Sequence, residues 1–218
     1  TLELEMQALR AQMNPHFIFN CLSAIDNLIQ TNQPDKATTC LSRFAKLVRG
    51  VLDSSKNNLV PFEKDFETMK LYLEMEQFRC NNKFHYDLHA DDELLHGDYK
   101  VPPLIIQPFI ENAIWHGMSQ KKEMTILISF RQMENQLICI VEDDGIGIEE
   151  SLKRKKDSTH EPSVGIDNIK KRIALLNEKY KLQSKVQIQD KLTLSAANGT
   201  GTIVTLHLPI KINESLWN

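Results

Sequence analysis

Glycine is almost missing from the front of this sequence: of eight glycines in 218 residues, only Gly50 precedes residue 97. A start built from tight β-turns is thereby excluded, and helices are favoured. The four cysteines (Cys21, Cys40, Cys80, Cys139) stand singly, with no CxxC pair, which removes zinc-ribbon and dithiol chemistry. Free, mostly buried thiols in a reducing compartment are expected instead. Apolar runs such as Val101–Ile106 stop far short of the roughly 20 residues that span a bilayer. The opening Thr1-Leu2-Glu3-Leu4-Glu5-Met6 is acidic and broken by polar residues, unlike a secretory signal. An excess of one charge is also missing. The 26 basic and 29 acidic residues leave a net charge of −3, which sets direct nucleic-acid binding aside. No GxxxxGK[ST] occurs, so no Walker-type phosphate loop is encoded. What is present is ordinary globular usage, 41% hydrophobic and 25% charged, sized for one or two domains of a cytosolic protein. The helix-like opening without an initiator Met reads as part of a longer chain.

Residues 2–30 and 34–54 read as two helices, the second starting on Pro34. The short link Thr31-Asn32-Gln33 predicts an antiparallel hairpin. A third helical pattern runs from Pro61 to Arg79. Alternation over Phe84–Leu88 predicts a strand, and 101–118 reads as a helix after Pro102-Pro103. Met124–Phe130 and Gln136–Val141 predict strands around the turn Glu134-Asn135. A long polar loop (149–163) leads to a helix over 165–180, and Lys185–Ser195 and Gly201–Pro209 predict two final strands. The expected fold class is therefore α+β: a helical hairpin, then a domain of strands and helices.

Three glycine pieces sit beside element ends in the second half. Asp143-Asp144-Gly145-Ile146-Gly147 follows a strand directly. Its glycines let backbone approach a ligand, and a carboxylate at a strand end can accept from a purine amino group. Ser163-Val164-Gly165 opens a helix, where free N–H groups favour phosphate. Asn198-Gly199-Thr200-Gly201-Thr202 alone reads equally well as a hairpin turn. On the segment Gln107–Gly117, Glu111 and Asn112 interrupt an apolar face, and His116 lies one helical turn past Asn112. An amide oxygen beside triphosphate oxygens suits Mg²⁺, although a polar helix face is the plainer reading of this piece alone.

Together, in order and spacing, the four pieces resemble the ATP-binding domain shared by gyrase, Hsp90, histidine kinases and MutL, the Bergerat fold. The asparagine box is Glu111-Asn112 through His116, and the first glycine box is Asp143 to Gly147. The second sits around Gly165, with Ser163 where an earlier glycine is usual, and the glycine-threonine box is Gly199-Thr200-Gly201-Thr202. The resemblance implies an α/β-sandwich that binds ATP. Asp143 would hold the adenine amino group, Asn112 would hold Mg²⁺, and residues 149–163 would form a lid over the phosphates.

Gln12-Met13-Asn14-Pro15-His16-Phe17-Ile18-Phe19-Asn20 resembles the phosphoacceptor box of LytS-like sensor histidine kinases, as does Pro103-Leu104-Ile105-Ile106-Gln107-Pro108. The residues agree with this: His16, Asn20, Ser23, Asn27 and Gln30 make one polar stripe at helical spacing on an otherwise apolar helix. Only that stripe is expected to be exposed, with two hairpins making a dimeric four-helix bundle. The resemblance implies residues 1–57 as dimerisation and phosphotransfer segment and 58–218 as ATP-binding domain. It implies autophosphorylation of His16 and transfer to an aspartate of a response regulator with a LytTR-type DNA-binding domain. It also implies a cytoplasmic location, with membrane attachment only through a sensor region outside this sequence. Phe17 follows His16 where many relatives carry an acidic base, so Glu111 becomes the candidate carboxylate near the γ-phosphate. Asn20 occupies the place where relatives orient a dephosphorylating water. Pro108 stands where ATPase relatives carry a catalytic glutamate. Two alternatives stay open: an ATPase of this superfamily with His16 incidental, or a non-catalytic nucleotide-binding dimerisation module.

Overall fold

Alternating burial along three central strands organises the second half of the molecule. A computed structural model describes residues 15–57, 59–118, 123–148, 150, 170, 173–175, 177–178, 183–194 and 199–210. In chain order the elements are α1 (Pro15–Gln30), α2 (Pro34–Ser55), β1 (Val60–Pro61), α3 (Phe62–Arg79), β2 (Phe84–Ala90) and α4 (Asp92–His96). There follow β3 (Lys100–Val101), α5 (Gln107–Met118), β4 (Met124–Met133), β5 (Gln136–Asp143), β6 (Lys185–Asp190), α6 (Lys191–Leu194) and β7 (Thr202–Pro209). Two compact units result: residues 1–82 with 100–105, and residues 83–99 with 106–218.

In the helical unit, α1 and α2 form the expected hairpin. Asn32 turns the chain in the left-handed region (φ 58°), which asparagine tolerates, while Gln33 N–H donates to Leu28 O at 2.9 Å to close the end of α1. The buried face of α1 is Phe17, Cys21, Ile25 and Leu28, and that of α2 is Ala37, Phe44, Leu47 and Val51. Helix α3 packs on both, and Phe17 stacks against Tyr72 with ring centroids 5.0 Å apart. This packing moves α3 from the ATP-binding side of the expected 57/58 boundary into the helical unit. Its apolar face, with Met69, Tyr72, Leu73 and Met75, has the hairpin to cover.

Residues 101–106 are not helical as expected. Lys100–Val101 pair antiparallel with Val60–Pro61, and Leu104 takes a left-handed φ of 55°. Its N–H donates to the buried Asp65 Oδ1 at 3.0 Å. Prolines 102 and 103 lack the N–H groups a helix interior needs, so α5 begins only at Gln107.

In the other unit a five-stranded sheet has the order β2-β4-β5-β7-β6, parallel between β2 and β4 and antiparallel elsewhere. Met124, Ile126, Ile128 and Phe130 of β4 and Leu137, Cys139 and Val141 of β5 form the buried face. Helix α5 packs on both strands, with Phe109, Ile110, Ala113 and Ile114 buried. The fold class is the α+β arrangement expected, a helical unit followed by a mixed-sheet domain. Two local expectations fail. Lys185–Ser195 is not one strand: Asp190 Oδ1 accepts from Leu192 N–H at 3.0 Å and Asp190 O from Thr193 Oγ1 at 2.7 Å, turning the chain into α6. The short helix α4, opened by Asp91, was not legible at all. The expected helix over 165–180 lies mostly outside the described residues, and 170, 173–175 and 177–178 within it are helical. Among the described residues no helix is long and apolar enough to cross a membrane.

Candidate functional site

Asp143 ends the inward row of β5 that begins with Leu137, Cys139 and Val141, so the strand's own period drives a carboxylate into the core edge. It is buried. Its Oδ1 accepts from Gly145 N–H at 2.8 Å and from Thr202 N–H at 3.3 Å, which leaves Oδ2 without a bond to either backbone group. Burial pushes the Asp143 carboxyl up from the usual range, opposed by those two N–H groups and by Lys191, while Asp144 pushes it further up. Asp144 is committed elsewhere. Its Oδ1 accepts from Thr125 N–H at 2.9 Å, and its own N–H donates to Thr125 O at 3.2 Å.

Backbone approaches Asp143 closely from β7. A Cβ on Gly201 (φ +131°) would lie 1.9 Å from the Asp143 carbonyl oxygen, so only glycine fits. Gly201→Ala is expected to cost about 1–3 kcal/mol of stability through forced backbone strain, read as a lower denaturation midpoint. In the first glycine box, Gly147 (φ +83°) backs onto the buried Asp190, whose carboxylate oxygens would lie 2.6 and 2.9 Å from an added Cβ. Gly145 is buried at the turn itself, whereas Gly199 and Thr200 are exposed ahead of β7. The structure thus brings Asp143, Gly145, Gly201 and Thr202 together, with Gly147 on the same loop. Gly165 lies outside the described residues, as do residues 149–163 apart from Glu150.

On α5, Glu111 and Asn112 are half-buried beside the buried row Phe109, Ile110, Ala113 and Ile114. Gln107, which sequence reasoning passed over, is buried and donates from Nε2 to Glu111 Oε1 at 2.8 Å. The readable signal was the amide one helical turn ahead of the acid. The backbone of His116 belongs to α5, and its side chain lies outside the described residues. Asp190 and Lys191 were also missed, because nothing in an alternating strand marks its terminal acid and base as buried.

His16 is exposed in the first described turn of α1, in the helical unit. The Asn20 amide nitrogen stands 3.0 Å from its Nδ1 and 3.4 Å from its Nε2, donating to the ring nitrogen that carries the lone pair. Phe17 is a core residue, which accounts for the missing acid at that position. The exposed side of α1 is wider than the polar stripe expected. Phe19 (68% exposed), Leu22 (43%) and Ile29 (61%) also face outward, and so does Leu41 of α2 (51%).

Residues 4–84 match the family described as histidine kinase, and residues 97–212 match the family described as histidine kinase-, DNA gyrase B-, and HSP90-like ATPase. The chain belongs to that ATPase family, in its LytS-like sensor histidine kinase branch. It is 36% identical over 151 residues to the sensor protein LytS of Oceanobacillus iheyensis, covering 69% of this chain and 25% of that protein. To the LytS of Enterococcus faecalis it is 33% identical over 180 residues, 80% of this chain and 30% of the relative. The chain therefore spans about a quarter to a third of these relatives. Its fold is similar to the histidine kinase domain of a blue-light activated histidine kinase from Erythrobacter litoralis EL346. There the TM-score is 0.55 at 20% identity, and the whole of each chain is covered.

Proposed function

We propose that this chain is the kinase core of a two-component sensor, which transfers the γ-phosphoryl group of ATP to His16 and then to an aspartate of a response regulator. The observation that carries the reading is the Asp143 carboxylate, held by two backbone N–H groups beside a cradle that only Gly201 fits, in a chain that also exposes His16. A buried carboxylate with one oxygen fixed and the other unclaimed by those N–H groups suits the adenine amino group. Asp143→Asn is expected to weaken ATP binding about tenfold or more, because charge-assisted bonds are worth roughly 1.5–3 kcal/mol. The single amide oxygen would be drawn to Gly145 and Thr202, turning an NH₂ toward another donor. Calorimetric affinity equal to wild type would move the adenine contact elsewhere.

In the transfer, a ring nitrogen of neutral His16 donates its lone pair to the γ-phosphorus. An N–P bond forms as the bond to the bridging oxygen breaks, and ADP leaves. The Asn20 N–H has to release that lone pair first. Glu111, steadied by Gln107, is the acceptor proposed for the imidazole proton. The half-buried Asn112 would hold Mg²⁺ on the phosphates through its hard amide oxygen, a donor of the kind that ion takes beside phosphates and water. When bound, that ion neutralises phosphate charge. Gly147, Gly165, Gly199, Thr200 and His116 are assigned to the nucleotide site on the motif resemblance.

Homodimerisation is part of the proposal. Phe19, Leu22 and Ile29 lie at helical spacing with only Asp26 between them on that side, and a second α1–α2 hairpin would cover them. The LytTR-type regulator and attachment to a membrane sensor domain rest on the motif resemblance to LytS-like kinases. The test is incubation of the chain with γ-labelled ATP. Acid-labile, base-stable phosphate on the protein supports the kinase reading. Released inorganic phosphate without labelled protein would make it an ATPase instead.

A further inference from the structure

In the turn of α1 that carries His16, Phe17 is the buried side chain: His16 and Phe19 are exposed, and Ile18 is half-buried. Pro15 has no N–H, so it cannot tie this turn to a carbonyl one turn back. The seat of the turn is therefore whatever Phe17 meets, and that is Tyr72 of α3, with ring centroids 5.0 Å apart and planes tilted by 38°. Tyr72 is itself fastened. It is buried, and its hydroxyl donates to Glu76 Oε1 at 2.9 Å, one helical turn along α3. Glu76 is buried as well, and its other oxygen accepts from Arg79 Nε at 2.8 Å and from Arg79 Nη2. A chain of contacts thus runs from Arg79 through Glu76 and Tyr72 to Phe17, and ends on the residue bonded to His16. None of Tyr72, Glu76 and Arg79 belongs to the phosphoacceptor box or to the motifs of the nucleotide site.

Core packing alone does not ask for this arrangement. A buried ion pair adds little stability over apolar residues of similar volume, and phenylalanine at position 72 would fill the space with no hydroxyl to satisfy. What the hydroxyl and the ion pair add is direction, because a satisfied buried network fixes the plane of the Tyr72 ring and with it the seat of Phe17. Successive side chains leave an α-helix roughly 100° apart, so seating Phe17 in the core sets the direction in which His16 leaves the helix. Asn20 then meets the imidazole from one turn further along the same side. We propose that Tyr72 is a positioning residue for His16, locked by Glu76 and Arg79 so that its ring, through Phe17, holds the phosphoacceptor turn in one orientation. Releasing the lock lowers the rate of transfer and leaves nucleotide affinity alone, because alignment of the attacking nitrogen is what is lost. The proposal rests on the kinase reading given above.

The test compares the whole chain as wild type, Tyr72→Leu, Tyr72→Phe and Leu47→Val. Three quantities are read: the rate of acid-labile labelling at saturating Mg²⁺-ATP, the ATP concentration giving half that rate, and amide hydrogen exchange over residues 16–20. Y72L removes the ring and the hydroxyl, and Y72F removes the hydroxyl alone. L47V opens a small cavity at a fully buried position of α2 and serves as the control for lost packing. In Y72L the labelling rate should fall about tenfold or more while the half-saturating ATP concentration stays within about twofold. Exchange over 16–20 should quicken in the same variant, because the turn opens more often. Y72F keeps the stack and should recover part of the rate, to about threefold below wild type. L47V should match wild type in all three. Should Y72L fail to fold, Y72F decides alone, and a wild-type rate there overturns the proposal. An equal loss of rate in L47V would make the effect one of stability, and slowed transfer with unchanged exchange over 16–20 would place it away from the phosphoacceptor turn. Either result overturns the proposal. Wild-type chain that takes up no acid-labile phosphate would sink the kinase reading itself. Labelled wild type with Tyr72 variants that label equally fast would sink this proposal only.

Discussion

His16→Gln should abolish incorporation of acid-labile phosphate while leaving ATP affinity unchanged. Glutamine carries no nucleophilic nitrogen at neutral pH, because its amide lone pair is delocalised, so nothing at that position can form the N–P bond. The helix should tolerate the change. His16 is exposed, the buried face of α1 is carried by Phe17, Cys21, Ile25 and Leu28, and glutamine is a good helix former. Affinity should hold because Asp143, Gly201 and Thr202 belong to the other compact unit. Labelling with γ-phosphate of ATP, beside calorimetry on the same preparation, separates the two effects. Loss of nucleotide binding in the variant would mean that His16 is structural, and residual acid-labile label would place the acceptor on another side chain.

The sequence made the long elements legible where one period ruled alone. Helix α2 was expected over 34–54 and spans Pro34–Ser55, and the β4–β5 hairpin turns at Glu134-Asn135 as its spacing required. Legibility failed where tertiary bonds decide. At 101–106 an apolar run looked helical, but the paired prolines and the long-range bond from Leu104 to Asp65 fix an extended strap instead. At 190–194 the alternation of Val186 and Ile188 predicts a continuing strand, while the Asp190 side chain captures the next turn. Helix α3 had an apolar face readable from sequence, but nothing local says which neighbour covers it, and the stack of Phe17 on Tyr72 settles that.

The candidate site divides in the same way. Glycines at positive φ and a carboxylate at a strand end leave a trace in spacing, so Asp143, Gly147 and Gly201 could be found. Gln107 and Lys191 are held by side-chain partners set by packing, and their residue types are common in solvent-facing positions. Only burial beside a partner marks them out. The apolar pattern of α1 predicts a narrower exposed face than this chain has, since Phe19, Leu22 and Ile29 face outward beside the polar stripe.

Asn112→Asp is expected to slow transfer to His16 by about a hundredfold or more while the domain stays folded, because positioning supplies much of the catalysis in phosphoryl transfer. Asn112 is half-buried beside Ala113 and Ile114, which carry the packing of α5, so the substitution takes nothing from the core. It does place a second carboxylate directly after Glu111, whose Oε1 is already engaged by Gln107. Two adjacent negative charges then face a nucleotide that is itself tetra-anionic, and the repulsion is strong where water is scarce. The aspartate keeps a hard oxygen for Mg²⁺, so free metal affinity need not fall. What changes is the balance of charge around the γ-phosphate, which can tilt out of line with the incoming imidazole. Autophosphorylation rates measured against Mg²⁺ concentration in both proteins provide the check. A variant with the wild-type rate and the wild-type Mg²⁺ requirement would show that Asn112 is not the metal ligand, and the assignment of Glu111–His116 as the asparagine box would have to be given up.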